Sequence, residues 1–238
     1  MRAAHPLYLI AGGRRSVRSR GPDPLLQEVI RGVGIPKPTV AYVGAASGDN
    51  TAFRLMIGQL LQRAGAGPVT LAPLCGRRGN PPKAKTVLEA ADLVFVSGGD
   101  VEAGMEVLRD QDMRGYLYEL FQSGKPFFGV SAGSIMLARQ WVTWTDPKDD
   151  STAHTFDCLG CAPVLCDTHG EGDGWEELQA LLTISPVGTT GYGIVSGTAL
   201  VMEADGSVTA RGGEVDVFRR RKNGVSQLKS LTPIPAPD

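Results

Sequence analysis

The chain has 238 residues, a formal net charge of −1 and 42% hydrophobic residues. This length suits one sizeable α/β core, and no Pro/Ser/Gly-rich linker divides the chain. Because Lys and Arg form no sustained stripe, nucleic acid and membrane surfaces are excluded as expected partners.

The first elements alternate between apolar strands and amphipathic helices. Residues 7–13 (LYLIAGG) predict an opening strand that ends in glycines. This apolar stretch is too short for a signal-peptide core, so we expect a cytoplasmic protein. Arg14 to Arg20 follow it and predict a solvated loop, with an anion site as the alternative. Further strands are predicted at 39–45, 68–74 and 93–96, and helices at 24–32, 51–64 and 83–91.

The second half carries weaker signals after the strand and helix of residues 126–137. Residues 141–160 are polar and predict a loop or short hairpin, and residues 175–182 predict a short helix. Strands at 199–203 and 207–211 flank Asp205-Gly206, which is a strong hairpin turn. We expect one domain over 1–225 and a frayed, extended tail over 226–238, which contains three prolines.

This element order predicts an α/β fold with a mostly parallel sheet, helices on both faces in a flavodoxin-like arrangement, and a late β-hairpin. Ligands of such sheets bind beyond the carboxyl ends of the strands. Gly12-Gly13, Gly98-Gly99 and Ser131 all fall at predicted strand ends. We therefore expect these residues to lie on one rim.

Gly129-Val130-Ser131-Ala132-Gly133 has the G-x-S-x-G form of a nucleophile elbow. An apolar strand precedes it and an apolar helix follows, which is the context that the motif requires. We assign Ser131 as the nucleophile, and the backbone N–H groups of Ala132 and Gly99 as the oxyanion hole. The alternative is a glycine-bearing turn that merely contains a serine.

A serine nucleophile needs a base, and the chain has three histidines. His5 precedes the first strand, at the far end of the sheet. His154 falls in the polar segment and is interpreted as an exposed loop residue. His169 follows an apolar strand at its carboxyl end and can reach the rim of Ser131, so it is the predicted base.

These segments together resemble the aspartyl dipeptidase (peptidase E) and cyanophycinase family of serine peptidases, relatives of the class I glutamine amidotransferases in which serine replaces cysteine. The resemblance implies a class I glutamine amidotransferase-like fold and a Ser-His-Asp triad. The family histidine ends a strand in Asn-Pro-His or Asp-Gln-His, and Asp167-Thr168-His169 aligns with the second form. The resemblance implies that Asp146 is the acid of the triad, or that Asp149 or Asp150 is the acid if the chain follows the cyanophycinase arrangement.

Two departures from the family concern specificity. The family places arginine shortly after the histidine, where this chain has Glu171 and Asp173, and the family turn Gly-Ile-Asp-Glu reads GIVS at 193–196. Carboxylates in place of arginine would repel an anionic side chain, so we expect no preference for Asp or Glu. Trp175 occupies roughly the position at which the family has its arginine, which suggests that the substrate carries an apolar, aromatic or cationic side chain. The alternative is that Trp175 only packs on its own helix with Leu178. The residues assigned to substrate binding are Gly98, Asp100, Thr168 and Trp175.

The remaining candidates concern metals and rival functions. Cys158, Cys161 and Cys166 lie between His154 and His169 and are zinc-type ligands, but their spacing matches no standard finger, so reduced thiols are expected. A Cys158-Cys161 redox pair is a further alternative. We expect no cofactor and no metal, and a small peptide or amide as substrate. The rivals are a small-molecule esterase or amidase and a non-catalytic ligand-binding relative.

Overall fold

A computed structural model describes residues 5–13 and 21–235. The predicted loop of Arg14 to Arg20 lies outside the described residues. The strands are β1 (Leu7–Ile10), β2 (Val40–Val43), β3 (Val69–Ala72), β4 (Leu93–Val96), β5 (Phe127–Val130), β6 (Gln140–Trp144), β7 (Ala153–Asp157), β8 (Leu165–Thr168), β9 (Thr190–Ile194), β10 (Ala199–Met202), β11 (Val208–Arg211), β12 (Val215–Arg221) and β13 (Gly224–Gln227). The helices are α1 (Pro24–Gly32), α2 (Thr51–Arg63), α3 (Pro81–Ala90), α4 (Val101–Asp110), α5 (Arg114–Gln122), α6 (Ala132–Leu137) and α7 (Glu176–Thr183).

The main sheet has seven strands in the order β11-β10-β1-β5-β4-β2-β3. Strands β1, β5, β4, β2 and β3 are parallel to one another, whereas β10 is antiparallel to both β1 and β11. The late hairpin predicted around Asp205-Gly206 is thus confirmed, and it joins the parallel sheet through β1. The parallel order brings the ends of β1, β4 and β5 together at one edge.

Both faces of this sheet are covered by helices, as predicted. In β1, Leu7 and Leu9 pack in one core with residues of α3, α4, α5 and α6. The alternate residues Tyr8 and Ile10 pack in a second core with α1 and α2. Strands that are buried on both faces read as continuous apolar runs, which explains the all-apolar sequences LYLI and LVFV. Two helices, α4 and α5, join β4 to β5.

A second, four-stranded sheet has the order β13-β12-β9-β8. Strands β8 and β9 are parallel, with Thr168 opposite Ile194. The polar segment after α6 forms the antiparallel hairpin β6-β7. Of the two predictions for 141–160, a loop or a short hairpin, the structure has the hairpin.

We predicted a frayed tail over 226–238, but its described residues, 226–235, pair with other strands. Ser226 pairs with Arg219 inside β13, and Leu231 bridges Val215. Ile234 donates its N–H to the carbonyl of Ala210. Prolines disfavour regular structure, but here the extended chain is held by hydrogen bonds to strands β11 and β12. Among the described residues, no helix is long and apolar enough to cross a membrane.

Candidate active site

Ser131 lies on the turn between β5 and α6, with φ 56° and ψ −128°. Positive φ is rare for a non-glycine residue and persists only where the surroundings impose it. Two hydrogen bonds to the end of β1 do so: Ser131 N and Ser134 Oγ both donate to the Ile10 carbonyl, at 2.8 and 2.9 Å. The local geometry is therefore that of the strand-to-helix elbow that the sequence predicts.

Close backbone packing explains the glycine at the end of this motif. A Cβ on Gly133 would lie 2.0 Å from the Val96 carbonyl oxygen, so α6 can approach β4 only with glycine there. Gly99, at φ 147°, has the same constraint, since its Cβ would lie 2.0 Å from the Ala46 carbonyl oxygen. The elbow therefore packs directly on the end of β4, and the glycine turn after β4 packs on the backbone of Ala46 and Ser47.

These two turns place the predicted oxyanion donors at one cavity. Gly99 and Ala132 both line the cavity that contains Ser131. As the first residue of α6, Ala132 has an N–H without an acceptor inside the helix. Gly98 lies beside the nucleophile, because a Cβ built on it would be 3.1 Å from Ser131 Cβ. The predicted substrate residues Asp100 and Thr168 also line this cavity.

The cavity has a volume of about 500 Å³, and His169 forms part of its wall. His169 follows β8 in the left-handed conformation, with φ 69°. Within the described part of the chain no hydrogen bond joins Ser131 to His169. Catalytic hydrogen bonds are often long before substrate binds, so the absence of this bond is compatible with a nucleophile and its base.

The imidazole of His169 is oriented by Ser196. Its Nδ1 lies 3.1 Å from Ser196 Oγ, and the Ser196 N–H donates to Glu171 Oε1 at 3.3 Å. Burial opposes ionisation of Glu171, but the side chain of Ser196, backbone hydrogen bonds and the nearby His169 together hold its pKa below the usual value. The Ser196 hydroxyl therefore contacts the imidazole, and the Glu171 carboxylate contacts Ser196 in turn. Neither residue was predicted for this role.

Asp146, the predicted acid, is not brought to His169. It lies in the exposed turn of the β6-β7 hairpin, where Oδ1 accepts the backbone N–H of Lys148 at 3.0 Å. Asp149 Oδ1 accepts the N–H and the hydroxyl of Ser151 in the same turn. Asp150 lines a separate groove. The turn thus uses two of these carboxylates for its own hydrogen bonds, and Nδ1 of His169 is occupied by Ser196.

Trp175 was predicted to contact substrate, and the structure corrects this. Its side chain is buried beneath Gly193, and Nε1 donates to Asp216 Oδ2 at 3.0 Å. The left-handed backbone at Trp175, with φ 66°, turns the ring towards the core before α7 begins. The helix-packing alternative therefore describes this residue. Trp141 and Trp144, on β6, line the cavity instead.

The cysteines near the site are separate, buried thiols. Cys158, Cys161 and Cys166 are all buried, and His154 is exposed on β7. Burial raises the pKa of Cys158 and of Cys161 to about 12. In the described ranges, no group of three His, Cys, Asp or Glu side chains is arranged to hold a metal ion.

Asp167 is an unpredicted feature of the cavity wall. It is 4% exposed and lines the cavity, and its Oδ1 accepts the N–H of Thr168 at 2.6 Å. Its Oδ2 is shielded from solvent beside Gly170, and among the described residues no hydrogen bond of good geometry reaches it. Burial, followed by the nearby charges of Glu177 and Asp173, raises the pKa of Asp167 to about 7.

Known proteins share this architecture. Strand order and elbow define the class I glutamine amidotransferase-like fold. A peptidase from an acI-B1 Actinobacterium has the same fold, with a TM-score of 0.69 at 19% identity over 96% of each chain. The model of peptidase family S51 matches residues 7–209, so the chain belongs to that family.

Two curated proteins are similar to part of this chain. Peptidase E of Pasteurella multocida (strain Pm70) is 28% identical over 123 residues, which are 48% of this chain and 52% of the relative. Pyridoxal 5'-phosphate synthase subunit PdxT of Geobacillus stearothermophilus is 26% identical over 134 residues, 56% of this chain and 63% of the relative. The matches thus span about half to three-fifths of the curated relatives.

Proposed function

We propose that this protein is a serine hydrolase of peptide or related amide bonds, with Ser131 as the nucleophile. The observation that carries the proposal is the backbone of Ser131, held at φ 56° between β5 and α6 on the wall of a cavity shared with His169. Membership of peptidase family S51 supports it. The cytoplasm is the proposed location, and the chemistry requires neither metal nor organic cofactor.

The proposed reaction begins with attack of Ser131 Oγ on the substrate carbonyl carbon. Nε2 of His169 takes the hydroxyl proton, and the backbone N–H groups of Gly99 and Ala132 stabilise the oxyanion. The imidazolium then protonates the leaving amine, which departs and leaves an ester on Ser131. Water, deprotonated by His169, hydrolyses this ester and restores the free hydroxyl.

We assign the orienting role to Ser196 in place of Asp146. With Ser196 Oγ at 3.1 Å, Nδ1 of His169 can remain the protonated nitrogen while Nε2 accepts the proton of Ser131. Glu171 lies behind Ser196 and accepts its backbone N–H, which holds Ser196 in place beside the imidazole. A hydroxyl accepts a weaker hydrogen bond than a carboxylate does, so this arrangement should stabilise the imidazolium less than a direct aspartate would.

Labelling with a fluorophosphonate probe tests the proposal, since only an activated serine is labelled. We expect one equivalent of label on Ser131 in the wild type, located by mass spectrometry after proteolysis. Ser131→Ala should be unlabelled while retaining its thermal unfolding transition. A wild-type protein that stays unlabelled would favour the non-catalytic alternative, and label on another residue would move the nucleophile.

A further inference from the structure

The imidazole of the catalytic cavity and its serine partner are both held by backbone hydrogen bonds. The His169 N–H donates to the Ile194 carbonyl at 3.3 Å, which extends the pairing of β8 with β9. The turn that follows β9 is closed by Thr198, whose N–H and hydroxyl both donate to the Val195 carbonyl, at 3.0 and 2.8 Å. Ser196 lies inside this turn, and its Oγ is 3.1 Å from His169 Nδ1. The contact between the two side chains therefore rests on a fixed backbone.

A serine is an ambiguous partner for a catalytic imidazole, because a hydroxyl can both donate and accept a hydrogen bond. If the Ser196 hydroxyl donates to Nδ1, the proton of neutral His169 must lie on Nε2, which then cannot take the proton of Ser131. If the hydroxyl accepts from Nδ1–H, Nε2 is free to act as the base. An ionised carboxylate in the place of Ser196 could only accept. The direction of one hydroxyl therefore decides which nitrogen of His169 carries the proton.

Glu171 lies where it can set this direction. Its Oε1 accepts the backbone N–H of Ser196 at 3.3 Å, which keeps the carboxylate beside this serine. Burial raises the pKa of Glu171, but the Ser196 side chain, backbone hydrogen bonds and the nearby His169 together hold it below the usual value. The carboxylate is therefore ionised and can only accept hydrogen bonds. A Ser196 hydroxyl that donates to it turns its lone pairs towards Nδ1 of His169.

We propose that Glu171 is a positioning residue that selects the tautomer of His169. By accepting the hydroxyl proton of Ser196, Glu171 makes Ser196 an acceptor for Nδ1–H and leaves Nε2 unprotonated. The hydrogen bonds then run from His169 Nδ1–H to Ser196 Oγ, and from the Ser196 hydroxyl to the Glu171 carboxylate. Glu171 acts through Ser196 rather than on the reacting atoms. This inference rests on the proposed function, because it takes Nε2 as the atom that receives the proton of Ser131.

The tautomer is measured by NMR in protein whose three histidines carry ¹⁵N in the ring. The signals of His169 are assigned by their loss in His169→Gln, and spectra are recorded where they no longer change with pH, so that the imidazole is neutral. We expect a protonated Nδ1 in the wild type. In Glu171→Ala, an exposed substitution, the shifts of both ring nitrogens should move towards the tautomer protonated at Nε2. An unchanged tautomer in this variant would overturn the proposal, as would a wild type protonated at Nε2.

The rate of labelling by a fluorophosphonate probe reports the reactivity of Ser131 without a known substrate. Glu171→Ala should lower this rate about 3- to 10-fold, a modest loss because the side chain is exposed. Ser196→Ala removes the hydroxyl through which Glu171 acts, so adding Glu171→Ala to it should cause no further loss. If Glu171→Ala costs the same factor with and without the Ser196 hydroxyl, Glu171 acts by another route and the proposal is wrong.

Glu119→Ala is the matched control, because it removes the same charge from the exposed surface of α5. It should change neither the tautomer of His169 nor the labelling rate. Equal effects of Glu119→Ala and Glu171→Ala would mean that net charge, rather than the contact with Ser196, is responsible, and would contradict the proposal. The NMR measurement needs no reactive serine. A tautomer that depends on Glu171 in a protein that the fluorophosphonate fails to label would therefore refute the proposed function alone.

Discussion

Asp167 should make the stability of the protein fall as the pH rises. Its pKa is 3.8 without perturbation and about 7 in the folded protein, because burial, then Glu177 and Asp173, disfavour the charged form. The folded state therefore retains a proton that the unfolded state has lost. A tenfold change in ionisation corresponds to about 1.4 kcal/mol, so the cost is absent below pH 3.8 and reaches about 4 kcal/mol above pH 7.

The Asp167→Asn variant isolates this group, because asparagine keeps the shape and cannot ionise. From the same two pKa values, the wild type should lose about 2 to 3 kcal/mol relative to the variant between pH 5 and pH 8. Urea unfolding followed by circular dichroism at several pH values gives this difference, and titration of the histidines cancels between the two proteins. Free energies of unfolding that run parallel over this range would refute the buried, uncompensated state of Asp167.

Three further predictions follow from the site. Ser131→Ala should abolish amide hydrolysis with no loss of folding, measured by turnover and thermal melting, and retained turnover would exclude it as the nucleophile. Ser196→Ala should lower kcat about 10- to 100-fold and alter the pH profile of kcat, whereas Asp146→Asn should change neither; the reverse result would restore Asp146 as the partner of His169. Gly133→Ala should cost more than about 3 kcal/mol of unfolding free energy, and a smaller loss would show that α6 can move away from β4.

The main sheet could be predicted because its signals are local. The central strands of the parallel sheet are apolar runs, and the helix signals lie between the strands, so α1 occupies the predicted range of 24–32. The elbow could also be predicted, since the G-x-S-x-G motif specifies a tight strand-to-helix turn as well as the serine side chain. The second sheet was not predicted, because only its β12-β13 hairpin is local. Its other two pairs join strands that are separated by α7 or by the β10-β11 hairpin.

The partner of His169 could not be obtained from spacing. Ser196 reaches the imidazole because β8 and β9 are parallel neighbours with Thr168 opposite Ile194, so the residues just beyond both strands meet. The sequence offered one signal, the departure of the 193–196 turn from the family pattern. Asp146 was inferred from an offset after the nucleophile, but a hairpin turn that is closed by its own hydrogen bonds keeps it away.

The charge of the cavity should influence the chemical step as well as binding. Formation of the oxyanion adds negative charge to a cavity whose lining carboxylates have no lysine or arginine among them in the described chain. Like charges repel more strongly in a site that excludes water, so the N–H groups of Gly99 and Ala132 act against this field. We therefore expect Glu177→Gln, which removes one of these lining charges, to raise kcat for amide hydrolysis about 2- to 3-fold. Glu119→Gln, on the exposed surface of α5, removes the same charge far from the cavity lining and should leave kcat unchanged. Equal kcat values for Glu177→Gln and the wild type in steady-state assays would show that the carboxylates do not oppose the oxyanion.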